Sequence, residues 1–258
     1  MVLMLNWYFI TKKIGCNLSI IDTIRIRLIS EIGKYFPGRV LGYGYLLIRY
    51  KEAGKDQIKV MNSSVYELFF SFFSAFLFFT IIFIFIQFPI LGQYREYFFL
   101  GSFIGIILMH PSFFRKFSDI FCKVLNRERV IYNISYFDVL KILMIYLFDW
   151  LIFGVGFYFF VRSFTKIDFP NIGYISGTFA ISTFAGFLAF FIPAGIGARE
   201  GLLILLLGNL TGNTFAIIIS IGSRIWSIIA DTLMFILALG SVLLFKGKKN
   251  FIEKQLTH

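Results

Sequence analysis

Residues Leu68–Phe88 read LFFSFFSAFLFFTIIFIFIQF, with no charged side chain. About 21 residues at 1.5 Å each reach ~30 Å, the thickness of a bilayer's hydrocarbon core. The run predicts a transmembrane helix, because a helix satisfies its backbone N–H and C=O groups internally where no water can do so. Segments downstream repeat the signal. Phe98–Met109 is a second apolar stretch, closed by His110-Pro111 and carrying a Gly101/Gly105 pair at the spacing that lets helices approach closely. Asp138–Val161, Ile172–Ile192, Glu200–Leu210 and Thr214–Phe245 follow. The expected fold is all-α: a polytopic transmembrane bundle of about six membrane segments over 68–245.

Upstream, Met1–Ile10 is too short to cross a bilayer and reads as the tail of a helix that begins before it. Leu18–Phe36 mixes Ile and Leu with Arg25, Arg27, Glu31 and Lys34, as expected for an amphipathic helix at the interface or against the bundle. Pro37-Gly38 stops it, and Lys51–Lys59 reads as a charged turn. Residues 1–67 thus form an N-terminal remnant helix and an interfacial segment, and 246–258 a basic tail.

Composition agrees. The chain has 258 residues, 58% of them hydrophobic and 36 of them Phe, whereas a soluble domain is about 45–50% apolar. No stretch is both long and polar enough for a separate catalytic domain. The formal charge of +11 lies in loops and tail, where positive-inside bias and anionic lipid account for it, so no nucleic-acid partner is expected. The Lys/Arg distribution places both ends on the cytoplasmic side of a cell (inner or plasma) membrane. Cys16 and Cys122 stand apart from each other and from His, which predicts reduced thiols without a metal.

One segment interrupts the apolar pattern. Ser182–Glu200 reads STFAGFLAFFIPAGIGARE: Pro193, Gly195 and Gly197 end a helix, and the charged pair Arg199-Glu200 follows at once. This predicts a broken or re-entrant helix near 193–210. Non-helical backbone at membrane depth is tolerated where protein or a hydrated cavity satisfies it, and ionised groups there are functional candidates. Two more such groups lie downstream. Asn213, Ser220, Arg224, Ser227 and Asp231 fall on one face of a helix that is otherwise Ile, Leu, Phe, Trp and Met. Asp149 sits mid-span. Arg224 and Asp231 are two turns apart, roughly 10 Å, so each needs a partner elsewhere: Glu200 for Arg224, Arg199 for Asp231 or Asp149. The bland reading is a set of ion pairs that fix helix register. The favoured one is a polar cavity for a lipid headgroup, with Arg199 and Arg224 on phosphate, Glu200 and Asp231 balancing charge, and Asp149 and Ser227 on its wall.

Signatures of catalysis are missing from the sequence. It contains no HExxH, GxSxG or Walker A motif and no cysteine cluster, and its two histidines are His110 and the last residue, His258. Neither a metal nor a cofactor is expected, and without an ATP-binding motif any transport runs downhill or is coupled to an ion.

At Pro193-Ala-Gly195-Ile-Gly197-Ala-Arg199-Glu200-Gly201 the chain resembles the lysylphosphatidylglycerol synthase transmembrane family of flippase-like membrane proteins, whose motif there is roughly Pro-Gly-Gly-x-Gly-x-x-Glu. Trp7, Gly15, the run Gly33-Lys34-Tyr35-Phe36-Pro37-Gly38-Arg39, His110-Pro111 and Arg224 resemble it as well. The likeness extends from about Trp7 to Gly240, with two departures: Ala194 replaces a usual Gly, and the family's first helix or two are missing before Met1. The resemblance implies movement of an anionic or glycosylated lipid between leaflets, with a phospholipid or a polyprenyl-linked glycan as the ligand. It also leaves room for a non-transporting scaffold that partners a glycosyltransferase or lipid-modifying enzyme. Lysyl transfer is not implied, because in the family that reaction belongs to a separate soluble domain.

Overall fold

The computed structural model describes residues 2–36, 40–124, 134–189, 192 and 195–256. Among these the protein is all-α, with no strand. Its helices are α1 (Val2–Ile14), α2 (Ile20–Glu31), α3 (Val40–Glu52), α4 (Gln57–Phe85), α5 (Arg95–Leu108), α6 (Pro111–Val124), α7 (Tyr136–Arg162), α8 (Ile172–Leu188), α9 (Ala198–Thr211) and α10 (Asn213–Leu256). Pro37, Gly38, Arg39 and Pro193 lie outside the described residues.

Among the described residues three helices are long and apolar enough to cross a membrane: α4, α7 and the Asn213–Val242 part of α10. A fourth span results if α5 and α6, which meet at a 66° bend at His110-Pro111, count as one broken crossing. The chain is therefore a membrane protein. With 17 and 14 residues, α8 and α9 are shorter than the ~20 residues of a straight crossing. They pack against each other across the break between them.

The first long helix starts earlier than its apolar run. Asp56 caps it, accepting the Ile58 N–H at 2.7 Å, so α4 begins at Gln57 within the expected turn, and the expected boundary at 67/68 falls inside it. Its opening turns are polar yet buried. Asn62, Ser63 and Ser64 donate to the carbonyls of Ile58, Lys59 and Val60, so the helix satisfies its own polar side chains. At α7, Ser135 and Asp138 form a reciprocal capping box.

Instead of lying at the rim, α1 is a full member of the bundle, packed on α2, α4 and α7. Trp7, Ile10 and Ile14 recur on one face and are wholly buried. The Trp7 indole donates to the Tyr50 hydroxyl at 2.9 Å, and Lys13 pairs with Asp138 of α7 at 2.9 Å. Close approach also joins α5 to α4, where a Cβ at Gly105 would overlap the Phe73 ring at 1.7 Å. Between helices in lipid, such packing does the work that the hydrophobic effect does in water. By contrast, Ile225, Trp226, Ile229, Leu233 and Leu237 of α10 are exposed, as expected for a face turned to acyl chains.

Candidate functional site

The break before α9 brings two backbones together. Gly195 and Gly197 have φ of +66° and +93°, a left-handed region that glycine enters without a Cβ clash. A Cβ on Gly195 would also stand 2.3 Å from the Gly186 carbonyl oxygen of α8. The Gly195 segment therefore crosses α8 at Gly186 in direct backbone contact. From there α9 starts at once: its Glu200 carboxylate accepts the Gly197 N–H at 2.8 Å, and Arg199 packs against Gly186.

Arg199, Arg224, Ser227, Asp231 and Asp149 all line one cavity of about 240 Å³. Glu200 stands behind this wall and reaches Arg224 at 3.3 Å. Other expected pairings do not form. Asp231 meets Lys34 at 2.7 Å and accepts the Tyr35 hydroxyl at 2.5 Å, because α2 and the 3-10 turn Ile32–Tyr35 pack on α10 and occupy the place proposed for Arg199. Arg199 is only 7% exposed, donates to Ser223 at 3.4 Å and lies 5.3 Å above the Phe179 ring. Among the described residues no carboxylate comes within 4.0 Å of it. Asp149, also 7% exposed, has no ion pair or hydrogen bond there either.

The polar stripe of α10 is divided. Arg224, Ser227 and Asp231 reach the cavity, Ser220 donates to the Glu200 carbonyl at 3.4 Å, and Asn213 is exposed at the helix start. His110 is exposed at the α5–α6 bend, where its Nδ1 accepts the Ser112 N–H at 3.3 Å, away from the cavity lining.

The opposite wall carries residues that sequence reasoning did not place there. Arg27 contacts Glu31 at 2.7 Å and Glu67 at 3.0 Å, and Glu31 contacts Lys34 at 3.7 Å. With Lys34 on Asp231, a chain of alternating charge runs from α4 through α2 to α10. Burial opposes the Arg27 charge, but Glu31 and Glu67 outweigh it and hold its pKa above the ordinary value. Burial, then the bond to Asp231, pushes the Tyr35 hydroxyl up as well, so it stays a donor. A signal was available, since Arg27, Glu31 and Lys34 recur at helical spacing and Glu67 directly precedes the charge-free run of α4.

Together the lining holds four cations (Arg27, Lys34, Arg199, Arg224) and four carboxylates (Glu31, Glu67, Asp149, Asp231), so the wall is neutral. No cluster of three or more His, Cys, Asp or Glu suited to a metal ion occurs among the described residues. Cys16 and Cys122 are both free and buried. Such an arrangement can hold a small charged group away from hydrocarbon. No family model, no curated protein and no solved structure matches the chain.

Proposed function

We propose that this protein is a flippase-like membrane protein whose cavity accepts a phosphate-bearing lipid headgroup and carries it between leaflets. The supporting observation is Arg199, a buried guanidinium on the cavity wall with no carboxylate within 4.0 Å among the described residues. An unpaired buried cation costs several kcal/mol, a cost that a bound anion removes. Its planar donor fork suits phosphate oxygens, and Arg224 lies on the same wall.

Size fits a headgroup better than a whole lipid. Ordinary ligand pockets run about 300–1,000 Å³, and this one is about 240 Å³. In this reading the acyl chains stay in the bilayer while the cavity replaces water around the charge. The role in this proposal is transport without covalent chemistry. Both ends face the cytoplasm of a cell membrane in this proposal, as the distribution of Lys and Arg favours.

Reconstitution into vesicles holding acyl-labelled phospholipid, with dithionite quenching of the outer leaflet, tests the reading. Arg199→Gln, Arg224→Ala and Glu200→Ala are expected to insert normally and to lose lipid movement. Full movement in all three would defeat it. The rival is a scaffold for a lipid- or glycan-modifying enzyme. A stable co-purifying enzyme together with no leaflet exchange would establish that instead.

A further inference from the structure

We infer that α6 does not extend the crossing of α5 but lies flat in the lipid–water boundary, where it binds anionic lipid headgroups. None of its residues lines the cavity, so this surface is independent of what the cavity holds.

The 14 residues of α6 present three faces. Phe114, Ser118 and Cys122, four apart, face the bundle. Ser118 and Cys122 are buried, and the centre of the Phe114 ring lies 4.0 Å from that of Tyr66 and 5.3 Å from that of Phe69 on α4. Lys116 and Lys123, seven apart, share a second face with Arg115, and all three are exposed. Phe113 and Ile120, also seven apart, form a third face and are 47% and 63% exposed. A helix standing across a membrane meets only protein and acyl chains. In that posture Lys116 and Lys123, ~10 Å apart along the axis, would put at least one ammonium at depth, where it is costly. A helix lying flat against the bundle meets protein, acyl chains, and water with headgroups. For each of these α6 has one face.

The bend also sits at the right height. From Gly101 beside Phe76 to Gly105 beside Phe73, α5 runs back along α4. Phe114 continues that path to residues 66–70, which straddle the start of the charge-free run at Leu68. Beyond the bend, the centre of the His110 ring is 6.3 Å from that of Tyr136, which opens α7 beside Phe137. Tyr136 and Phe137 are both exposed, and aromatic side chains exposed at a helix end mark the edge of a bilayer. Both neighbours thus put the 66° turn where hydrocarbon gives way to headgroups.

Charge names the partner. Arg115, Lys116 and Lys123 share their face with one carboxylate, Asp119, so positive charge is in excess at headgroup height. Arg115 also donates to the Ile134 carbonyl at 3.5 Å, which leaves the two lysines to reach for lipid. Beside them Phe113 and Ile120 enter the acyl region. A basic amphipathic helix gains from an anionic surface through both faces at once.

Fluorescence quenching of the full chain in vesicles of mixed phosphatidylcholine and phosphatidylglycerol tests this. A bimane label is placed on Phe113→Cys, Ile120→Cys or Lys123→Cys, the native Cys16 and Cys122 being buried. Labels at 113 and 120 should be quenched alike, and about twofold or more better by a spin label near the headgroup than by one near the chain end. Aqueous acrylamide should quench the label at 123 better than that at 120. Spin-labelled phosphatidylglycerol should quench the label at 120 about twofold or more better than spin-labelled phosphatidylcholine. That preference should vanish when Lys116→Gln and Lys123→Gln are added, or in high salt if that variant fails to fold. Different depths at 113 and 120 would make α6 part of a crossing, and acrylamide reaching 120 as freely as 123 would place its apolar face in water. Either result overturns the inference, and so does a phosphatidylglycerol preference that is absent or outlasts both the loss of the lysines and high salt.

Discussion

The two walls of the cavity are built alike and finished differently. On the α2–α4 side every charged group is tied to a neighbour: Glu67 to Arg27, Arg27 to Glu31, Lys34 to Glu31 and Asp231. On the α7–α9 side Asp149 and Arg199 are buried, yet neither has an ion partner within 4.0 Å among the described residues. Paired buried charges fix the register of the helices that carry them, and removing one strands the other. Charges without an ion pair among the described residues lend less such support, and Arg199 leans only on the Ser223 hydroxyl and the Phe179 ring there. The contrast separates framework from site inside one cavity.

Four substitutions probe that contrast through thermal stability. Glu67→Ala should have the largest effect, a loss of about 3–5 kcal/mol, because it leaves Arg27 buried with a partner missing. A variant that melts with the unsubstituted protein would show that the α2–α4 wall is not framework. Gly195→Ala comes next, at about 1–3 kcal/mol, from a left-handed backbone and a Cβ driven into α8. Lipid handling should fall with it, since the same crossing seats Arg199, and unchanged handling would detach the break from the site. Lys34→Met is expected to cost only about 0.2–1 kcal/mol, because its pair with Asp231 is partly open to solvent. Arg199→Gln is expected to change stability least, by under ~1 kcal/mol or in the stabilising direction, since it removes a buried charge that no carboxylate supports. A large destabilisation by Arg199→Gln would move that residue to the framework side and erase the distinction between the walls.

How far the sequence could be read varied with the range of the interaction. The charge-free run beginning at Leu68 announced α4, yet α4 starts at Gln57, because a capping Asp56 and self-bonded Ser side chains extend a helix that hydropathy alone ends early. The stripe Arg224, Ser227, Asp231 was legible from helical spacing and does face the cavity. Glu200 meets Arg224, because the break sets the start of α9 beside the first half of α10. Asp231 takes its partners from Lys34 and Tyr35, far back in the chain, and no local pattern could say so. Likewise α1 looked like a fragment, because its burial depends on Tyr50 and Asp138 reaching it from other helices.

From its sequence alone this protein was bound to be a helical membrane bundle with a glycine break and ionised groups at depth. Apolar length, helical period and the left-handed freedom of glycine act over a few residues, so they are written where they apply. Only the tertiary structure decided which charges pair with each other and that Arg199 meets no carboxylate among the described residues. Pairing depends on how α2, α4, α7, α9 and α10 pack, and a contact between side chains nearly two hundred residues apart in the chain leaves no periodic trace in either segment.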